Sequence, residues 1–234
     1  MTRRLWFMLA VFAVAVSCGI LDAQSPGAPS GQAAAQKVEP GWTSLFNGTD
    51  FTDWKISGNA ATFTVQDGAI VANGRVAHAF YDGAFQNHSF RNFELKVDIM
   101  TRAGSNGGVY VLTEYQEGGT RRASGVFPSK GFEIQVNNSH TDRIRSGSLY
   151  HVKDVLDQSP AKDDEWFTEH IIVKGETIVV KVNDVQVVEW SQPADWNGGV
   201  EGPGRRITGP GTIALQGHDP GSTVYYKNIR IKPL

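Results

Sequence analysis

Apolar and polar residues alternate along much of the chain, and the alternation is strictest in Gly131–Val136. A period of two is typical of a β-strand, so the apolar residues of this segment are expected to face a core. Glu133, Gln135 and Asn137 would then share the opposite face. A carboxylate and an amide two residues apart can bind hydroxyl groups or hold a proton in transit, so we interpret this strand as the floor of a site. A strand with a solvated polar face is the plainer alternative.

The same period recurs between turn signals along the rest of the chain and predicts about a dozen strands. The clearest segments are 63–65, 69–71, 93–100, 107–115, 147–152, 166–173, 177–190, 213–216 and 224–231. Asn183 and Asp184 tolerate the positive φ that a two-residue hairpin turn requires. No helix longer than about two turns is predicted. The pattern therefore predicts an all-β fold of two packed antiparallel sheets, with a barrel as the alternative.

Residues 1–23 have the pattern of an export signal. Two arginines precede the apolar run Leu5–Val16, which is too short to span a bilayer comfortably. Two processing sites are compatible with this pattern: cleavage after Ala23, or a bacterial lipoprotein box that ends at Cys18, in which Ala15 stands where Leu is usual. A lipidated Cys18 would tether the protein to a membrane. In either case we expect the mature protein outside the cytoplasm, in the periplasm or at the outer membrane or cell surface of a bacterium.

The composition separates a linker from one folded domain and excludes some classes of function. Residues 24–40 are rich in Ala, Gly, Ser, Pro and Gln, which indicates a flexible linker, and a single domain is expected over residues 41–234. The formal net charge of −2 gives no basic surface for a nucleic acid. Because the sequence holds 1 cysteine, an intramolecular disulfide and a cysteine zinc site are excluded.

Several polar residues follow the ends of predicted strands and could carry chemistry. His218 lies on the same strand face as Gln216, and imidazole side chains exchange protons near neutral pH. Tyr150 and His151 follow another predicted strand start, and Arg143 could hold oxygen atoms. Three histidines could also bind a metal, although their spacing does not support a site: His140, His151 and His218.

Eight short motifs share their order and spacing with a known family. They are Gly-Trp-Thr-Ser-Leu-Phe-Asn-Gly-Thr-Asp-Phe-Thr-Asp-Trp at 41–54, Phe-Glu-Leu at 93–95, Ser-Asn-Gly-Gly-Val-Tyr at 105–110, Gly-Phe-Glu-Ile-Gln-Val at 131–136, Gly-Ser-Leu-Tyr at 147–150, Asp-Glu-Trp at 164–166, Leu-Gln-Gly-His-Asp-Pro-Gly-Ser at 215–222 and Tyr-Lys-Asn-Ile-Arg-Ile at 226–231. The sixth departs from the family's usual Glu-Trp-Asn. Together they resemble the 3-keto-disaccharide hydrolase domain of exported bacterial proteins, over about residues 41–234.

The resemblance implies a concanavalin A-like jelly-roll β-sandwich, with two curved antiparallel sheets and a concave groove. It also implies activity on glycosides that carry a ketone at carbon 3. Such a ketone acidifies the hydrogen on carbon 2, so a base can remove it and the group on carbon 1 can leave. Addition of water then gives hydrolysis, and without it the enzyme is a lyase. This reaction needs a base, a donor for the enolate oxygen and an acid for the leaving oxygen.

The motifs of the resemblance include four polar residues that could meet these needs. We assign catalysis to Glu133 and His218, each able to be the base. We assign substrate binding to Gln135, Tyr150, Arg143 and His151. A divalent metal that polarises the ketone is an open alternative, with candidate ligands Glu133, His140, His151 and His218.

A carbohydrate-binding module without catalysis is the alternative function, because many lectins share this fold and a fold alone does not determine function. A carboxylate and an imidazole in one site favour an enzyme, since a lectin has no use for a titratable base. A carbohydrate is the expected partner in both cases, and the oligomeric state is not predicted.

Overall fold

The computed structural model describes residues 39–117, 120–122 and 125–234, with the backbone alone at 120–122 and 125–126. The predicted export signal, Cys18 and all but the last two residues of the predicted linker lie outside these ranges. None of the helices in the described ranges is long and apolar enough to cross a membrane.

The described part of the chain consists of strands, turns and three short 3-10 helices, with no α-helix. The 3-10 helices are Ala60–Thr62, Phe85–His88 and Gly199–Glu201. The strands are β1 (Thr43–Ser44), β2 (Trp54–Gly58), β3 (Phe63–Gln66), β4 (Ala69–Ala72), β5 (Ala77–Tyr81), β6 (Phe93–Thr101), β7 (Asn106–Thr113), β8 (Thr120–Arg122), β9 (Gly125–Phe127), β10 (Phe132–Asn137), β11 (Phe167–Lys174), β12 (Thr177–Val182), β13 (Val185–Ser191), β14 (Thr212–Gly217) and β15 (Val224–Pro233).

The strands form two main antiparallel sheets with the core between them. The larger sheet has eight strands in the order β13–β12–β11–β6–β15–β4–β3, with β1 also paired to β15. The smaller sheet has five strands in the order β10–β7–β14–β5–β2, and β8 and β9 form a separate hairpin. The prediction of an all-β jelly-roll sandwich is confirmed. The barrel alternative is wrong because each main sheet ends in two unjoined edge strands.

The core follows the alternation of the sequence most closely on β6. There Phe93, Leu95, Val97 and Ile99 are each 0% exposed, and the residues between them are partly exposed. The equivalent apolar residues of β10 also enter the core. Burial of such side chains stabilises the fold by roughly 2 kcal/mol each. Because a one-residue slip would turn them out of the core, their burial fixes the register of β6 and β10 with the neighbouring strands.

The polar face of β10 differs from the plainer alternative. Glu133, Gln135 and Asn137 are 8%, 1% and 0% exposed, so the interpretation of a solvated face is wrong. The reason is a set of contacts on this face: Tyr110 and Gln216 donate to the Glu133 carboxyl group, and the Asn137 amide donates to the Asp142 and Ile144 carbonyl oxygens. The segment after β10 is also bonded along the edge of the strand. Ser148 O accepts from Gln135 N at 3.0 Å, and Ser146 N donates to Asn137 O at 2.9 Å.

Some predicted elements are corrected by the structure. Residues 147–152 form turns rather than a strand, because Gly147 and His151 have φ of +88° and +58°. The segment is bonded to the backbone of Glu133 and Gln135, but within the described residues its only β-bridges are isolated ones at Leu149. The predicted turn at Asn183 and Asp184 is confirmed, with φ of +48° and +63°. The strands β1, β2, β5, β8 and β9 were not predicted, since they are short or, like β5, buried on both faces and without alternation.

Candidate active site

A pocket of about 100 Å³ lies on the face of the five-stranded sheet that points away from the core. Three neighbouring strands, β10, β7 and β14, supply its floor, and the segments that cover this face supply its walls. The lining residues are Asn106, Tyr110, Phe127, Glu133, Gln135, Tyr150, Gln216 and His218. The structure thus brings together four of the predicted site residues, namely Glu133, Gln135, Tyr150 and His218.

Strand register explains why the floor has this composition. Glu133 lies opposite Tyr110 in the pairing of β10 with β7, and Gln216 lies opposite Gly108 in the pairing of β14 with β7. A Cβ atom at Gly108 would lie 2.5 Å from Oε1 of Glu133. The missing side chain of Gly108 therefore leaves the space that the carboxyl group occupies.

The Glu133 carboxyl group is buried and accepts two hydrogen bonds. Tyr110 Oη donates to Oε2 at 2.6 Å, and Gln216 Nε2 donates to Oε1 at 2.9 Å. Burial raises the pKa of Glu133, although these two bonds and the nearby Arg205 and His218 oppose the rise. A carboxyl group whose pKa is raised exchanges protons closer to neutral pH, as general acid–base catalysis requires.

His218 is held by a neighbouring carboxylate. Its Nδ1 lies 2.7 Å from Oδ2 of Asp219, which also accepts from Ser222 Oγ at 2.8 Å. Burial alone would raise the pKa of Asp219, but the bonds from His218, Ser222 and Gly221 outweigh it and lower that pKa. Asp219 therefore stays ionised and favours the tautomer with hydrogen on Nδ1, which leaves Nε2 to accept a proton.

Tyr150 contributes a phenol that stays protonated. Its backbone N donates to Glu133 O at 3.0 Å, and its Oη donates to Asp142 Oδ2 at 3.1 Å. Burial and the Asp142 carboxylate raise the pKa of Tyr150. The ring stacks on His151 with centroids 4.0 Å apart, which fixes its orientation.

Two buried acceptor atoms of the pocket lack a partner among the described residues. They are Oδ1 of Asn106 and Oε1 of Gln216. An unpaired buried carbonyl oxygen costs about 1–3 kcal/mol, so both atoms favour a ligand that brings hydrogen-bond donors. Gln135 has no side-chain hydrogen bond to another described residue, and its amide group also lines the pocket.

Two predicted substrate-binding residues do not line this pocket. Arg143 is 70% exposed in its side chain and pairs with Asp157 through two bonds, at 2.8 and 2.6 Å. The Nδ1 atom of His151 lies 2.7 Å from Oε1 of Glu201, so His151 supports the Tyr150 ring from outside the pocket.

The candidate metal ligands do not form a metal centre in this arrangement. Both oxygens of Glu133 accept hydrogen bonds. The Nδ1 atoms of His218 and His151 are each within hydrogen-bond distance of a carboxylate oxygen. His140 packs against His218 with ring centroids 5.9 Å apart, but its Nδ1 accepts from Asp142 N at 3.2 Å. Among the described residues no group of three His, Cys, Asp or Glu side chains could hold a metal ion.

The sequence reasoning missed several residues of the site. Tyr110 and Asn106 lie within the motif at 105–110, and Asp219 follows His218 directly, so the motifs did contain a signal for them. Arg205 had none. Its buried guanidinium donates from Nη1 to Gly131 O at 2.8 Å, lies 5.6 Å from the Tyr110 ring centre and opposes the rise of the Glu133 pKa.

The sequence profile of one family, described as a 3-keto-alpha-glucoside-1,2-lyase-like domain, matches residues 41–232. A similar protein is a 3-keto-disaccharide hydrolase from Bacteroides thetaiotaomicron, which is 24% identical over 83% of this chain and 79% of its own length.

Two solved structures show the same fold. One is a protein classed as a glycosyl hydrolase from Parabacteroides distasonis, with a TM-score of 0.67, 24% identity and coverage of 83% of this chain and 94% of that chain. The other is the exoplasmic/lumenal domain of VIP36 in its Ca²⁺- and Man3GlcNAc-bound form, with a TM-score of 0.50, 8% identity and coverage of 83% and 88%. On the strength of the profile match, this chain belongs to the family of 3-keto-alpha-glucoside-1,2-lyase-like domains.

Proposed function

We propose that this protein is an exported enzyme that cleaves 3-keto-glycosides by removing the proton on carbon 2 and expelling the group on carbon 1. The observation that carries the proposal is the meeting of Glu133 and the Asp219-bound His218 in one pocket, beside buried acceptors without partners. Family membership and the printed name of the Bacteroides relative support the substrate class.

His218 is the better placed base. Its Nε2 is the ring nitrogen not bound to Asp219, whereas burial raises the pKa of Glu133 and so favours the protonated form, which suits an acid rather than a base. The carbon 2–hydrogen bond breaks, its proton moves to Nε2, and its electron pair forms the enolate. Asp219 then faces a positively charged imidazolium, which it stabilises.

The remaining groups stabilise charge and supply the second proton. The Gln135 amide can donate to the enolate oxygen, and Asn106 and Gln216 accept from sugar hydroxyl groups. The bond between carbon 1 and the leaving oxygen breaks as a double bond forms between carbons 1 and 2. Glu133, with its raised pKa, gives the leaving oxygen its proton. Addition of water to the product would complete a hydrolysis.

The activity test feeds 3-keto-trehalose and a 3-keto-glucoside to the pure protein and follows release of the aglycone. We expect release by the wild type and a loss of about a hundredfold or more in His218→Ala, the usual contribution of a general base. Lack of release, with and without added divalent metals, would reject the enzyme. Binding of ordinary glycans in calorimetry without turnover would instead favour the carbohydrate-binding module.

Export is the part of this proposal that rests on sequence alone. The apolar run Leu5–Val16 after two arginines supports it. Mass spectrometry of the protein from its native host tests it: a mature chain that begins at Gln24 indicates secretion, and a lipidated Cys18 indicates a membrane tether. An unprocessed Met1 would contradict export.

A further inference from the structure

A second pocket, of about 330 Å³, lies at the opposite end of the five-stranded sheet. The strand β7 joins the two pockets, because Asn106 at its start lines the first and Thr113 at its end lines the second. Tyr81, Thr212 and the segment 82–89 contribute to the second pocket. Among the described residues none lines both pockets, so the second is a separate place for a ligand.

Backbone contacts fix the walls of this second pocket. Phe90 and Gly211 exchange both backbone hydrogen bonds, at 2.8 and 3.1 Å, which ties the segment 82–89 to the start of β14. Leu112 has a φ of +55°, and the pairing of β14 with β7 shifts register beside it. A Cβ atom at Gly211 would lie 2.4 Å from the Leu112 carbonyl carbon, so this kink needs glycine there. Such irregularities re-aim side chains next to functional sites.

The segment 82–89 carries a second backbone irregularity. Gln86, Asn87 and His88 have φ of +48°, +50° and +45°, a left-handed run of three residues that are not glycine. Each such residue costs roughly 1–2 kcal/mol, and the conformation persists where the surroundings impose it, often at ligand sites. Two strained segments from distant parts of the sequence therefore meet at one pocket.

Thr113 provides the observation that points to a ligand. Its side chain is 0% exposed, and Oγ1 has no hydrogen-bond partner among the described residues. Thr212, which lines the same pocket, differs because its Oγ1 donates to Tyr81 O at 2.6 Å. A buried hydroxyl without a partner is unfavourable, and a ligand in this pocket would supply the missing partner.

The lining chemistry indicates which class of ligand fits. Asp82 and Glu114 offer carboxylates, and Lys130 pairs with Glu114 at 3.0 Å, so neither sign of charge dominates. Asn87 and His88 add an amide and an imidazole. Acceptors and donors mixed in this way suit a neutral molecule with several hydroxyl groups rather than an anion or a cation.

We infer that this pocket is a second saccharide-binding site, which holds a neutral oligosaccharide through the Thr113 hydroxyl and the Asp82 carboxylate. This inference does not rest on the proposed catalysis, because its test measures the binding of unoxidised sugars. Its place at the far end of β7 would let the protein hold a glycan while the first pocket processes another unit.

The test titrates maltotriose, cellotriose and trehalose into nitrogen-15-labelled protein and follows the backbone amide resonances. We expect at least one sugar to shift the amides of residues 82–89 and 113–115 in a saturable way. Thr113→Val should weaken this binding about fivefold, the effect of one lost hydrogen bond, while leaving the stability unchanged or higher. Thr212→Val is the matched control: it removes a bonded hydroxyl, so it should lower stability and leave the affinity unchanged.

Three outcomes would overturn the inference. They are no shift at these amides with any of the three sugars, shifts confined to the pocket of Glu133, or equal affinity in Thr113→Val. If Thr113→Val does not fold, Asp82→Asn replaces it, because that carboxylate is half-exposed and its loss should weaken binding at least as much. Turnover of a 3-keto-glucoside should be unchanged in both variants.

Discussion

Glu94 on β6 and Glu133 on β10 lie in the same sequence pattern, but their pKa values are shifted in opposite directions. Each follows a core phenylalanine on an alternating strand. Burial alone would raise the pKa of Glu94, but hydrogen bonds from Lys232 and His170, at 3.1 and 2.8 Å, outweigh it and lower that pKa. Glu133 is bonded by a phenol and an amide, which carry no charge, and its pKa is raised.

The difference shows that the pKa of a carboxyl group on a strand is set by the side chains that contact it, rather than by the sequence pattern of the strand. The outer face of the eight-stranded sheet stays partly exposed at β6 and pairs its carboxylates with cations. The outer face of the five-stranded sheet is covered and holds its carboxyl group among neutral donors. The second environment raises the pKa of its carboxyl group towards neutral pH, whereas the first lowers it.

The largest expected effect is on kcat, when each of the two carboxyl groups is replaced by an amide. We expect Glu133→Gln to lower kcat on a 3-keto-glucoside about a hundredfold or more, because an amide cannot give a proton to the leaving oxygen. Glu94→Gln is the matched control and should keep the wild-type kcat. Equal rates in the two variants would remove Glu133 from the mechanism.

Asp219→Asn should have the next largest effect. Asp219 contacts His218 and does not line the pocket, so it is a positioning residue that fixes the imidazole tautomer. We expect kcat to fall by roughly tenfold to a hundredfold with KM nearly unchanged, because orientation of the base is lost while binding remains. A rise in KM alone would mean that Asp219 acts in binding.

A third carboxyl group, Glu169 on β11, extends the comparison to stability. It faces the core at 0% exposure, accepts from Gly147 N at 3.2 Å through Oε1, and has no partner at Oε2 among the described residues. Burial raises the pKa of Glu169 well above its usual range, and the Gly147 bond opposes this only weakly. Above the ordinary pKa of a carboxyl group, the unfolded chain releases this proton while the folded protein retains it, so stability falls as pH rises.

We therefore expect the free energy of unfolding to fall by about 1–3 kcal/mol between about pH 5 and about pH 8. Glu169→Gln, which cannot ionise, should lose most of this fall, and urea titrations at the two pH values measure it. Unchanged pH dependence in the variant would show that Glu169 is ionised in the folded protein.

The smallest effect is expected at Glu94, with the opposite sign. Because its pKa is lowered, Glu94 stabilises the fold above the ordinary pKa of a carboxyl group, and this stability is lost as pH falls through the folded pKa. Glu94→Gln should cost about 0.5–1 kcal/mol at neutral pH, as expected for an ion pair that solvent still reaches at Lys232, and nothing in acid. Urea titration measures this change too, and destabilisation that persists in acid would point to lost packing instead.

The sequence predicted those parts of the molecule that local pattern determines. The alternation of β6 and β10, the turn at Asn183 and Asp184, and the two-sheet sandwich all follow from residues close in sequence. The placement of Glu133 and His218 in one pocket was expected from the family motifs, and the geometry agrees.

What the sequence could not predict depends on contacts between distant segments. The segment 147–152 alternates like a strand, but two left-handed residues interrupt it beside the edge of β10, to which its backbone is bonded. Arg143 binds Asp157 and His151 binds Glu201, both outside the pocket. Glu133 is buried among side chains of neighbouring strands, with Tyr110 and Gln216 bonded to its carboxyl group, and this burial raises its pKa. No periodicity within β10 records these contacts.

Gly108 shows how activity can depend on a residue that has no functional group. Its hydrogen atom stands where a methyl group would push against the Glu133 carboxyl group from 2.5 Å away. In Gly108→Ala every acid, base and amide of the site would be present, yet the new methyl group would displace the Glu133 carboxyl group from its position on the sheet. Searches for relatives with the same chemistry should therefore ask for an empty position on β7 as firmly as for the glutamate that fills it.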